Sequence, residues 1–240
     1  MLRFQPLRRG FTLIELLVVI SIIAVMIGIL MPALSSARAM ARSSVCLSNT
    51  RTIATVMDLY AQDDPRNFYP TARMPMSAPF ETSWIHLTAP YVDMLDVYHC
   101  PSDDTTQWSN DGTDRFTSYG INAYFTPNHP PYYGIKPIQI ANPAETIIAA
   151  ELVQTLNGGM MKADHFMPMF WGSPSAASNG MMQNAQWDAA SQSPKTVFHT
   201  RHSGDANYVF TDGHASAEAF ETTWRQTPGS PPTVDWYDPR

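Results

Sequence analysis

The chain has 240 residues and a formal net charge of −6, with 44% hydrophobic and only 15% charged residues. This length allows one ordinary domain plus one further element, and the charged fraction is low for a soluble globular domain. The first ten residues hold Arg3, Arg8 and Arg9 and no acid, so the remainder carries 12 basic against 21 acidic side chains, a net −9; an acidic body argues against non-specific nucleic-acid binding, which depends on neutralising phosphates.

The first predicted element is apolar. Leu16 to Ala37 is a run of 22 residues without a charge, roughly 33 Å as a helix and enough to cross a hydrocarbon core of ~30 Å. Arg3, Arg8 and Arg9 precede it, so the N-terminus is expected in the cytoplasm and the body outside the inner membrane, although Arg38 and Arg42 weaken the contrast. Pro32 should bend the helix rather than end it. Beyond it, Ile53, Val56, Met57 and Tyr60 fall at helical spacing and form an apolar stripe. One helix is therefore expected from about Phe11 to about Ala61, ended by Asp63-Asp64-Pro65, with residues 14–36 as the membrane span.

Residues 64–240 read as one α+β head, a small antiparallel sheet with long loops. Tyr69-Pro70, Met74-Pro75 and Ala78-Pro79 mark irregular chain, Ser83–Leu87 a short helix, and Thr146–Leu152 a buried strand. Asp212-Gly213 between Asn207–Thr211 and His214–Glu218 is a two-residue hairpin signal. Gly158–Gln192, rich in Met, Asn, Ser and Ala, reads as a long variable loop.

The N-terminal residues Arg8-Arg9-Gly10-Phe11-Thr12-Leu13-Ile14-Glu15-Leu16-Leu17-Val18-Val19-Ile20 resemble the type IV prepilin and pseudopilin signature. The resemblance implies a leader, residues 1–10, cut after Gly10 by a prepilin peptidase that also methylates the new N-terminal Phe11. It implies retention of the helix, and pairing of Glu15 with the Phe11 amine of a neighbouring subunit. An acid beside an apolar span is costly unless paired or at the interface, and positions four apart share a helix face. Two readings compete: a secretory signal cut near Ala37-Arg38-Ala39, whose apolar core would usually be ~7–15 residues with no acid at its start, and an unprocessed anchor.

In the head, His202, nine intervening residues and then Asp212-Gly213-His214 resemble the C-terminal motif of a large group of prepilin-type proteins. Cys46-Leu47-Ser48-Asn49, His99-Cys100-Pro101-Ser102-Asp103, Ser118-Tyr119-Gly120-Ile121-Asn122 and Asn142-Pro143-Ala144-Glu145-Thr146 match that group too. The implied function is a structural pseudopilin subunit of a type II secretion pseudopilus; the alternative is a minor type IV pilin with an adhesive or ligand-binding head. The implied partners are other pseudopilin subunits, the peptidase and the inner-membrane secretion platform. The implied location is a single-pass inner-membrane protein with a periplasmic head, assembling into a filament.

The remaining candidates are chemical. His199, His202, Asp205, Asp212 and His214 fall close together, but their spacing matches no standard zinc pattern and both cysteines are far away in sequence. The favoured reading gives Asp212 and Gly213 to a turn and packs His202 against it. Some major pseudopilins carry a calcium-bound loop near the C-terminus, which makes Asp205, Asn207 and Asp212 calcium candidates, though no bidentate-acid loop pattern is present; no other cofactor is expected. In an oxidising periplasm Cys46 and Cys100 either form a disulfide, worth roughly 4 kcal/mol by loop entropy, or remain two buried thiols. No nucleophile triad, phosphate loop or paired-carboxylate motif stands out, so no enzyme activity is expected.

Overall fold

The computed structural model describes residues 11–73, 78–103, 116–127, 134–152, 164–166, 168, 187–188, 193–194, 202, 205–226 and 232–240. It falls into two compact units, Met1–Ala41 and Arg42–Arg240. Helix α1, Leu13–Asp63, contributes to both, so the division falls inside the helix and not at its C-terminal end.

In the first unit α1 is long and apolar enough to cross a membrane. Its large apolar side chains from Leu13 to Leu34 are exposed. An apolar surface of that extent is unfavourable in water and calls for lipid or other helices around it. Ser21 donates its hydroxyl to the Leu17 carbonyl at 2.7 Å, which satisfies the one hydroxyl in the middle of the span. The helix continues through Pro32, which has no N–H to give to the carbonyl of Gly28.

From Arg42 onward α1 changes character. Its buried residues are Cys46, Thr50, Ile53, Ala54, Val56, Met57 and Ala61, one face at three- and four-residue intervals. Tyr60, expected in the same stripe, is half-buried and meets Tyr91 edge-on at 6.4 Å.

This face belongs to a core shared with Tyr119, Ile121, Ile148, Ala149 and Val209 of a five-stranded sheet. Its strands are β1 (Tyr119–Asn122), β2 (Ile147–Glu151), β3 (His165–Phe166), β6 (Ala206–Phe210) and β7 (Ala215–Glu218), in the order β3-β1-β2-β6-β7. Two small pairs stand apart: β4 (Trp187–Asp188) with β5 (Ser193–Pro194), and β8 (Trp224–Gln226) with β9 (Pro232–Asp235). Among the described residues the short α-helices are α2 (Trp84–Thr88), capped by the Ser83 hydroxyl, and α3 (Phe220–Thr223).

The sheet is mixed, not purely antiparallel as expected, because β3 runs parallel to β1. Gly120 of β1 permits this approach: a Cβ there would lie 2.5 Å from Leu152 Cδ2 and 3.3 Å from the His165 Cα. The hairpin also differs from expectation. The Gly213 N–H donates to the Phe210 carbonyl at 3.1 Å and the Phe210 N–H to the His214 carbonyl at 3.0 Å. Three residues, Thr211-Asp212-Gly213, therefore make the turn, with Gly213 at φ +89°, the left-handed position that a three-residue hairpin needs. Gly158–Gln192 lies largely outside the described residues, although β3 and β4 come from it.

Asn122 ties the sheet to the C-terminal tail. Its side-chain amide donates to the carbonyls of Ile147 (2.9 Å) and Tyr237 (2.8 Å), and its carbonyl accepts the Tyr124 N–H at 3.1 Å. Asn122→Ala should leave buried backbone groups without partners and lower the unfolding free energy by about 2 kcal/mol or more. Urea denaturation of the detergent-solubilised chain measures this, and an unchanged midpoint would deny Asn122 that role.

Candidate functional site

In the N-terminal unit the chemistry sits at the start of α1. Thr12-Leu13-Ile14-Glu15 forms a capping box. The Thr12 hydroxyl accepts the Glu15 N–H at 3.2 Å, and a Glu15 carboxylate oxygen accepts both the Thr12 N–H and the Thr12 hydroxyl at 2.8 Å. Glu15 thus has a partner within its own chain, and its signal in the sequence is the Thr-x-x-Glu spacing. Phe11 is exposed just before this cap. Gly10 lies outside the described residues.

In the head, the buried acid Glu151 at the end of β2 gathers the polar groups. His202 Nε2 stands 2.8 Å from its Oε1, the Asn207 side-chain amide donates to the same oxygen at 3.1 Å, and the Asn207 N–H donates to Oε2 at 3.0 Å. His202 Nε2 is also 3.6 Å from Cys100 Sγ. Cys100 is joined to Cys46 of α1, with the Cα atoms 5.0 Å apart. The residue before the Cys100 loop is held too: Asn49 of α1 donates to the His99 carbonyl at 3.0 Å.

These positions correct one expectation and add a contact that sequence distance hides. His202 does not pack against the Asp212-Gly213 turn; it turns inward to Glu151 and the disulfide. The cysteines, remote in sequence, are adjacent to His202 in space. Glu151 was missed as a site residue, and its signal was an acid in the otherwise apolar run Ile147–Leu152.

The other metal candidates are dispersed. Asp205 pairs with His202 through the backbone before β6, Asn207 is engaged with Glu151, and Asp212 follows β6, so the strand separates Asp205 from Asp212. Asp212 Oδ1 accepts the His214 N–H at 3.0 Å and meets His214 Nδ1 at 2.5 Å, while the His214 ring stacks on Phe210. His199 lies outside the described residues.

The hairpin turn rests near α1. A Cβ on Gly213 would lie 3.6 Å from Asp58 Oδ2, and Tyr69 donates its hydroxyl to Asp58 Oδ1 at 3.4 Å. Burial holds the Asp58 carboxyl above the usual carboxylate range; the Tyr69 hydrogen bond opposes this and the Asp212 charge adds to it. Separately, a groove of about 650 Å³ runs beside α1, lined among others by Val45, Asn49, Thr52, Tyr91, Met94 and Val97.

Residues 6–31 match the family model described as the prokaryotic N-terminal methylation motif. No curated protein and no solved structure matches the chain. With the apolar helix and the small mixed-sheet head, the chain is of type IV pilin-like architecture, and at its N-terminus it is type IV prepilin-like. The motif implies processing by a prepilin peptidase and assembly with other pilin subunits.

A carboxyl whose folded value is raised adds stability only at low pH, and that contribution is lost as pH rises through the folded value. Asp58→Asn should therefore raise the melting temperature near neutral pH, with the gain vanishing as pH falls to about 4. Thermal melts of both forms across that range measure it; a gain that persists at the acid end would assign the effect to something other than titration.

Proposed function

We propose that this chain is a pseudopilin: a structural subunit of a type II secretion pseudopilus, cut after Gly10, methylated on Phe11, and anchored in the inner membrane by α1 with its head in the periplasm. The observation that carries this reading is a single carboxylate, Glu15, at the start of an exposed apolar helix within the N-terminal methylation motif. A plain anchor needs that acid only to cap its helix on Thr12, whereas a subunit packing its helix among others also has a cationic partner for it in the Phe11 amine of a neighbour. The capping box refines the picture. In the isolated chain Thr12 holds the Glu15 carboxylate, so docking exchanges local donors for a charged one in a medium of low dielectric. The head's His202 and Asp212-Gly213-His214 add support through their resemblance to prepilin-type proteins, and the secretion platform is the assembly partner this reading requires.

The groove beside α1 favours a second reading, a minor type IV pilin whose head binds a ligand or surface. Its volume is that of a small-molecule or peptide pocket. Deletion of the gene separates the two. Exoproteins retained in the periplasm indicate the pseudopilus, while lost adhesion with normal secretion indicates the minor pilin.

Processing and assembly have their own tests. N-terminal sequencing of the mature chain should begin Phe11-Thr12-Leu13, and Gly10→Val should accumulate full-length precursor; a start at Met40 or Ala41 would point to a secretory signal instead. Glu15→Leu should leave membrane-bound protein unchanged and sharply reduce sheared or crosslinked filaments when the assembly machinery is co-expressed. Equal filament yield from both forms would refute the pairing role.

A further inference from the structure

Cys46, Cys100, Glu151 and His202 each offer one ligand atom, and these atoms all lie within 4.8 Å of one another with all four residues buried. We propose that the dithiol form of this chain binds a divalent metal ion of the zinc class through Cys46 Sγ, Cys100 Sγ, His202 Nε2 and a Glu151 carboxylate oxygen.

The donor set is the first argument. Two thiolates, one imidazole and one carboxylate suit a borderline-soft ion with tetrahedral preference, and they disfavour calcium or magnesium, which take oxygen ligands. Geometry is the second. Ligands bound at ~2.0–2.3 Å in a tetrahedron stand roughly 3.3–3.8 Å apart; the Cys100 Sγ–His202 Nε2 separation of 3.6 Å already fits, the 2.8 Å between His202 Nε2 and Glu151 must widen, and the two sulfurs must move apart once the bond between them is absent.

The surrounding fold supports the four ligands. The ligands come from α1, from the loop after Tyr98, from the end of β2 and from the segment before β6. The Glu151 carboxylate is already oriented by two hydrogen bonds from Asn207, the kind of outer contact that holds a ligand in place. The Cys100 N–H is fixed on the Ser118 hydroxyl at 2.9 Å.

The chemistry balances without an external electron donor, because the chain is synthesised with thiols. The two thiols and one metal ion give the bis-thiolate complex and two protons, and the proton that His202 Nε2 shares with Glu151 moves to Nδ1, which frees Nε2 for the ion. Disulfide and metal compete for the same two sulfurs. Forming the disulfide from the complex removes two electrons, which a disulfide-class oxidant takes up as two thiolates, and releases the ion.

The test uses the full chain in detergent micelles. A phosphine and water convert the disulfide to two thiols and a phosphine oxide; after anaerobic removal of the phosphine, cobalt(II) is titrated in. Reduced wild type should take up one equivalent, developing the thiolate-to-cobalt charge-transfer band and the intense visible bands of a four-coordinate ion, both abolished by zinc. The oxidised chain should show neither. Asn207→Ala should keep the spectrum and weaken affinity about tenfold or more, as expected of a positioning residue. His202→Ala should lose the four-coordinate visible bands, and His202→Cys should restore them with added charge-transfer intensity from a third thiolate. Reduced wild type without the charge-transfer band would overturn the proposal whatever the variants do. So would equal spectra from the oxidised and reduced chains, or a spectrum indifferent to His202→Ala with the fold intact by circular dichroism.

Discussion

The head is organised around one constraint: a carboxylate placed inside a sheet must be given donors. Glu151 stands fully buried at the end of β2, the strand between β1 and β6. An unpaired acid there would cost more than a single core substitution usually does. Its two oxygens are therefore met by His202 and by both the backbone and side chain of Asn207. Meeting that need fixes the segment leading into β6, sets β6 beside β2, and brings His202 against the disulfide. The core under the sheet is then closed by the face of α1 that begins at Cys46.

The two units solve opposite solvation problems with one helix. From Leu13 to Leu34 the large apolar side chains of α1 are exposed and need an apolar surrounding. After Arg42 the helix supplies an apolar face to a core of its own. Residue choice marks the change. Branched and long aliphatic side chains cover every face of the first part, whereas small and polar residues surround a single stripe in the second. The carboxylates follow the same division. Glu15 is exposed and held by a neighbouring hydroxyl three residues away, while Glu151 is buried and held by groups more than fifty residues away.

What was legible in the sequence was local. The α1 run, its stripe at Ile53, Val56 and Met57, the short helix at Trp84–Thr88 and the buried strand at Ile147–Glu151 all follow from periodicity and composition within a few residues. Elements that depend on distant partners were not. The parallel pairing of β3 with β1 brings the His165 backbone to 3.3 Å from where a Cβ on Gly120 would stand, and nothing local in the sequence marks that approach. The length of the hairpin turn depends on how Asp212 serves His214 and how Gly213 closes on Phe210, so the Asp-Gly pair located the turn but not its size. Meeting of Cys46, Cys100, Glu151 and His202 is long-range throughout, and no spacing rule encodes it.

The link between Cys46 and Cys100 also has a mechanical meaning. Cys46 is the first fully buried residue reached when α1 is followed from its N-terminus. A pull along the apolar segment therefore arrives at a covalent crosslink before it reaches any hydrogen-bonded strand. Load passes from the helix to the loop at Cys100 and on to the sheet through Ser118, which holds the Cys100 N–H. A helix held only by side-chain packing would peel from such a core one turn at a time. Here that peeling stops at the fourth residue beyond Arg42, where tension is diverted across the disulfide to Cys100.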